Sequence, residues 1–362
     1  MENELSSIIQ ITDMSFNEIT NNLSFQNTSL SEKAARNIFL EMNKEAIISF
    51  SYEAIEIANK RIMRFENRLM HKISLLVGSF EMFGDPWFRI QLLNAQKSAA
   101  ISDGQTDCDL LSDLLVSCYN ESEHAKRTLN RVSLTKAINA VSLLSNDALL
   151  GWTIICSIRY FTIRSCGGIK ETLDKYEKRY IKILENTSLK LDEHWLDEIY
   201  ALDMCHLLAY MTIPAFEDDF FISKHNGFVE CGIKKDSSKY LQAFNILEVN
   251  SISTLEYDWL VTHELNDDYV RLNINSFDVI DKLIDLSDSQ KAALHSIISL
   301  YEKNDKMLQK NIEIMNMLWK ERPVLSMITD FYNSIVTKNA FIEMYTGLLI
   351  AEANINRLEC FT

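Results

Sequence analysis

Glu217, Asp218, Asp219, His225, Glu230 and Cys231 crowd into one short stretch, "EDDFFISKHNGFVEC". Carboxylates beside an imidazole hold a divalent cation, or pass protons as general acid and base, when a fold turns them towards one point. Asp218, Asp219, His225 and Glu230 are therefore the metal candidates, and a metal-dependent hydrolase or nuclease is the activity they would serve. The competing reading is an exposed acidic loop, and it is the expectation here, because spacing by itself brings nothing together.

Two other groups bear on the same chemistry. In "HWLDEIYALDMC", His194, Glu198 and Cys205 share one side of a helical wheel and are permissible zinc ligands. Two helical turns, about 10 Å, separate Glu198 from Cys205, so a single helix cannot bring all three to one ion. A solvated helix face is expected there, with His206 as a hydrogen-bonded core histidine. Asp103, Gly104, Asp107, Cys108, Asp109 and Asp113 make a second acidic window. It lacks the D-x-[DN]-x-[DN]-G order of a calcium loop and has less glycine than a phosphate cradle needs. Thr106 and Asp109 instead stand in the relation of a capping box ahead of Leu110, Leu111, Leu114 and Leu115, which reads as a bend between helices.

Other catalytic signatures are missing from the sequence. "HELND" at 263 has no second histidine for H-E-x-x-H, and no dinucleotide, P-loop or nucleophile-elbow glycine pattern occurs. No cofactor is expected. A formal charge of −15 opposes nonspecific contact with nucleic acid, whose affinity rests on Lys and Arg neutralising phosphates. Seven scattered cysteines without a Cys-x-x-Cys pair read as reduced thiols, mostly in the core of a cytoplasmic protein. The apolar run at 148–158 is closed by Arg159, too short to span a membrane, and reads as a helix buried on all sides.

The elements that must position these residues are mainly α, since nine glycines and three prolines punctuate 362 residues. An elongated multi-helix bundle is expected. Residues 31–77 contain one interrupting-residue-free stripe, with Ile55, Ala58, Ile62, Phe65, Leu69, Ile73 and Leu76 at spacings of three and four, which predicts one long helix of about 70 Å. Packing of this stripe on that of the helix after 288 within one chain is the expectation; a homodimer is the alternative, with Ile62, Phe65 and Leu69 as its candidate interface. Asp85 and Pro86 open the next helix, and further helices are expected at about 122–143, 146–165, 169–186 and 191–212. Asn226-Gly227, flanked by Phe, Ile and Val, predicts a small β-hairpin near 220–233. Ser287 and Gln290 form a capping box for a helix running to about Arg322, with Asn304 in line between Tyr301 and Leu308.

The chain therefore divides into a short N-terminal segment (1–30), a helical bundle (31–215), a hairpin-containing mixed segment (216–286) and C-terminal helices packing back on the bundle (287–362). The leading function is a noncatalytic helical scaffold that binds a protein partner, and the alternative is the metal-dependent enzyme with its acids near 217–230. The setting expected for the scaffold, bacterial stress or phage defence, has no residue behind it.

Overall fold

The first two helices among the described residues settle how the long apolar stripe is used. In the computed structural model, which describes residues 31–47, 52–76, 79–102, 104–122, 128–161, 163, 167–185, 189–192, 194–208, 213, 216–252 and 258–359, the stripe is carried by α1 (Glu32–Ile47) and α2 (Tyr52–Ser74). The Phe39 and Phe65 ring centroids lie 5.9 Å apart, and Arg36 Nη1 is 3.6 Å from Glu66 Oε1. One continuous helix would hold positions 39 and 65 about 39 Å apart. The single helix expected over 31–77 is thus corrected to two helices folded back on each other. Folding back takes Phe39, Ile62, Phe65 and Leu69 out of water together, where a rod would leave much of that surface exposed. Ile62, Phe65 and Leu69 are accordingly buried inside the chain, so the interface reading of these three is corrected as well.

Helices α3 (Pro86–Ile101), α4 (Gln105–Ser122), α5 (Leu129–Val141), α6 (Asn146–Arg159), α7 (Ile169–Ile183) and α8 (Trp195–Ala201) extend the bundle. Asp85 caps α3, its carboxylate accepting from Trp87 N at 3.0 Å, with Pro86 at the first position, where no N–H is required. Every residue of α6 from Ala148 to Ile158 is buried, and the two hydroxyls among them, Thr153 and Ser157, donate to Leu149 O and Ile154 O at 2.7 Å. The helix expected over 191–212 ends at Ala201, and β1 (Cys205–Leu207) follows. His194 and Glu198 therefore sit on a different element from Cys205. His206 points outward on β1, 3.5 Å from Asp203, and is not the core histidine expected.

The predicted β-hairpin at 220–233 is replaced by α9 (Phe216–Lys224) and the single turn α10 (Asn226–Val229). Asn226 Oδ1 accepts from Phe277 N at 2.8 Å, and Gly227 N donates to Asn275 O at 3.1 Å. A Cβ on Gly227 would lie 2.3 Å from the Ile274 carbonyl oxygen. The dipeptide that reads locally as a type I′ turn is used instead for a close backbone approach.

A second, smaller core begins here. β2 (Ile233–Lys234), β3 (Leu260–Thr262) and β4 (Tyr269–Leu272) form an antiparallel sheet in the order β2-β4-β3, flanked by α11 (Ser238–Val249) and α12 (Asp288–Ile298). Ile233, Leu247, Trp259, Leu272, Leu294 and Tyr301 fill it. The Ser287 and Gln290 capping box forms, but α12 stops at Ile298, and Asn304 caps a separate helix, α13 (Asp305–Lys320), through Met307 N at 3.2 Å. The one helix expected to Arg322 is thus two. Pro323 opens α14 (Pro323–Val336); β5 (Phe341–Glu343) pairs antiparallel with β1, and α15 (Tyr345–Glu359) packs against α4, α5 and α6. Among the described residues no helix is long and apolar enough to cross a membrane. The N-terminal segment 1–30 lies outside the described residues.

Candidate functional sites

Of the four metal candidates, Asp218 and Asp219 fall on α9 with side chains outside the described residues, as does Glu217. His225 is buried and held by both nitrogens. The Asn275 side-chain amide donates to Ile163 O at 2.5 Å and faces His225 Nδ1 at 3.4 Å, which makes Nδ1 the acceptor. Nε2 therefore carries the proton and donates to Tyr176 Oη at 3.1 Å, while Tyr176 Oη also accepts from Ile163 N at 3.0 Å. Tyr176, Phe220 and Phe228 surround the ring. Burial lowers the His225 pKa to about 3, against a smaller upward pull from Asp278. This histidine is neutral packing material tied into a polar knot. Glu230 contributes its carbonyl oxygen, which accepts from His263 Nε2 at 2.8 Å, and burial pushes its carboxyl up. Among the described residues, no three His, Cys, Asp or Glu side chains are placed to hold a metal ion.

The acidic window at 103–113 forms an ionic seam. Asp103 lies outside the described residues. Thr106 sits within the first turn of α4, after Gly104, so it is not the capping residue expected; Ser102 Oγ meets the Asp107 carboxylate across that turn. Asp109 is buried, 3.3 Å from Arg68 Nε, and Asp113 lies 2.5 Å from Lys72 Nζ. Burial pushes the Asp107 and Asp113 carboxyls up, and the Arg357 charge on α15 opposes that rise in both. The window therefore joins α2, α4 and α15 by charge.

Five of the thiols lie among the described residues, and none of the five is exposed. Cys108, Cys118, Cys156, Cys205 and Cys231 are buried, and none of them is in a disulfide. Burial, with Glu343 adding to it, pushes Cys205 to about 12 and Cys156 well above its ordinary value. Glu343 is itself buried, paired with Arg159 and accepting from Tyr160 Oη at 2.7 Å, which fastens β5 to α6.

A cleft that sequence reasoning missed opens where α7 meets the small sheet. It has a volume of about 430 Å³ and is lined by Gly167, Gly168, Glu171, Thr262, Glu264 and Arg271, among others. Gly168 is the N-cap of α7 and makes no side-chain cap. Glu264 takes that role from another element: its Oε1 and Oε2 accept from Ile169 N at 3.0 and 3.2 Å. Arg271 Nη2 donates to Glu264 Oε2 at 2.6 Å, and Nη1 donates to the carbonyls of Leu272 and Ile274 at 2.8 and 3.2 Å. The guanidinium is wholly buried, 4.8 Å from the Phe228 ring, and its Nε has no hydrogen-bond partner among the described residues. Two glycines directly before a helix start were the available signal.

On the far side of the small core, α11 buries Ala243 and Leu247 and turns Leu241, Phe244 and Val249 outward, 69, 47 and 73% exposed. Lys234 and Lys239, which precede that row in the sequence, are exposed.

Residues 29–362 match a family model described as ":-like". No curated protein and no solved structure matches the chain.

Proposed function

The chain belongs to that ":-like" family, and we propose that it is a noncatalytic helical scaffold whose α11 face binds a protein partner. One observation carries the reading: the outward row of Leu241, Phe244 and Val249 on a helix whose other side is already packed. An amphipathic surface helix normally turns polar residues to water, and burying each such side chain against a partner contributes about 1.5–3 kcal/mol. Lys234, Lys235 and Lys239 stand at the N-terminal end of the row in a chain of net charge −15. The partner this face fits is therefore an apolar segment with acidic residues at one end.

The test is a photoreactive phenylalanine analogue at position 244 of the full chain, expressed in the native host. Irradiation is expected to cross-link one discrete protein whose linked peptide is apolar and acid-flanked. Leu241→Asp together with Val249→Asp, both at exposed positions, should abolish that product while the melting temperature stays unchanged. An undiminished cross-link in the double variant, or products scattered over unrelated proteins, would overturn the proposal.

A further inference from the structure

The cleft at the start of α7 combines three features that favour a negatively charged group. A helix of 15 residues directs its first N–H groups into it, a buried arginine lines it, and Gly168 leaves room where a side chain would stand. In this structure a carboxylate does sit there, that of Glu264, bonded to Ile169 N and to Arg271 Nη2. A Cβ built on Gly168 would lie 2.7 Å from Glu264 Oε1, so the glycine makes space for that oxygen. The Glu264 side chain is nonetheless 39% exposed, whereas the Arg271 side chain is 0% exposed. The cationic half of the pair is fixed in the protein, and the anionic half reaches it from the open side of the cleft.

Among the described residues that line the cleft, the other charged side chain is Glu171. Glu171 pairs with Lys175 at 2.5 Å, one turn along the helix. The cost of burying the Arg271 guanidinium is met by two carbonyls, the Phe228 ring and one carboxylate, and its Nε has no partner among the described residues. If Glu264 swings out, the helix N–H and Arg271 need another anion in its place. A volume of about 430 Å³ falls in the range of small-molecule sites.

We infer that this cleft is a binding site for a small anionic ligand, bearing a carboxylate or phosphate group, which takes the position that Glu264 occupies as a displaceable internal stand-in. Recognition is by Ile169 N–H, the α7 N-terminus and Arg271, with Thr262 at the rim to meet the remainder of the ligand. Because the resident carboxylate must leave first, the apparent affinity of the wild-type chain is reduced by the fraction of time the site is open. The inference is independent of the α11 face.

The experiment compares the full-length wild type, Glu264→Gln, Glu264→Ala and the double variant Gly168→Ala with Glu264→Ala. Thermal shift and calorimetry are run with sodium acetate or inorganic phosphate against sodium chloride at equal ionic strength. Glu264→Ala is expected to melt lower than wild type, to be restored saturably by acetate or phosphate but not by chloride, and to bind the anion at least tenfold more tightly than wild type. Glu264→Gln keeps the side-chain volume and loses the charge, so it too binds more tightly than wild type in a chain that stays folded. In the double variant the new methyl stands 2.7 Å from where Oε1 lies and so crowds an anion out of that position; Gly168 has φ −80 and ψ 163, a conformation open to alanine, so the chain folds and the rescue disappears. Stronger rescue by acetate assigns carboxylate ligands, and stronger rescue by phosphate assigns phosphate esters. Equal affinity in wild type and both Glu264 variants, or rescue that survives in the double variant, would overturn the inference.

Discussion

His225 shows what one residue does when the chain closes around it. Its ring lies among Tyr176, Phe220 and Phe228, with Asn275 donating to one nitrogen and Tyr176 accepting from the other. A second proton would leave the Asn275 amide facing a donor and place a charge among rings, which is why burial lowers the pKa to about 3 from an ordinary 6.5. Between those two values the unfolded chain holds a proton that the folded chain refuses, so unfolding takes up protons and stability falls as pH falls. The contribution is complete above pH 6.5 and declines by about 1.4 kcal/mol per pH unit down to the folded value. Burial lowers His263 as well, which adds in the same direction. Urea titrations at pH 7, 5.5 and 4 should therefore show His225→Gln starting less stable than wild type, by about 2 kcal/mol, and losing less on acidification. Parallel pH profiles for the two proteins would contradict this. None of it was legible from "SKHNGFVEC", because the partners Tyr176 and Asn275 stand 49 and 50 positions away. What a window of sequence displayed was a histidine among acids, and that pattern is shared by metal ligands and core residues alike.

At the scale of elements, legibility follows the range of the interaction. The caps of Asp85 on α3 and of Ser287 with Gln290 on α12 act within three residues, and the sequence displays them as they stand. Where tertiary packing decides, it does not. Residues 31–77 carry a helical stripe whether they form a rod or fold back, since the period is the same in both. Asn226-Gly227 carries a turn signal that the approach of the Ile274 carbonyl overrides. Thr106 and Asp109 have capping-box spacing, yet Asp109 is drawn to Arg68 on α2. The folded-back arrangement of α1 and α2 makes a specific energetic claim about Phe39 and Phe65, whose centroids are 5.9 Å apart at 39°. Phe39→Leu and Phe65→Leu should each destabilise by about 1 kcal/mol, and a double-mutant cycle should return a coupling of about 0.5–1.5 kcal/mol. On a continuous helix the pair would be far beyond contact and the two effects would simply add. Strict additivity in equilibrium denaturation would therefore return the rod.

At the scale of the whole molecule, two hydrophobic cores share one chain, and the ties between them are largely polar. The smaller core spans Ile233 to Tyr301 and is held to the larger by Asn275, by Glu264 on the α7 N-terminus and by Asn226 Oδ1 on Phe277 N. Composition announced the helical class, but not that residues 233–301 would build their own core, because strands of two to four residues leave no periodic trace. Asn275 is the most connected of the ties: its amide reaches Ile163 O and His225, and its carbonyl accepts from Gly227 N. Apolar cores unfold as units when the contacts between them are weaker than those within, and a buried polar tie stripped of its partner costs its desolvation without return. Asn275→Ala removes both amide bonds while leaving the carbonyl, so it should loosen the smaller core first. Hydrogen exchange read by mass spectrometry is expected to show amides of β2, β4 and α12 exchanging at least tenfold faster than in wild type, while those of α2 and α4 keep their rates. Equal acceleration in both sets would mean that the chain opens as one cooperative unit and that Asn275 stabilises the whole. No change in either would mean that Glu264 and Asn226 suffice to join the cores without it.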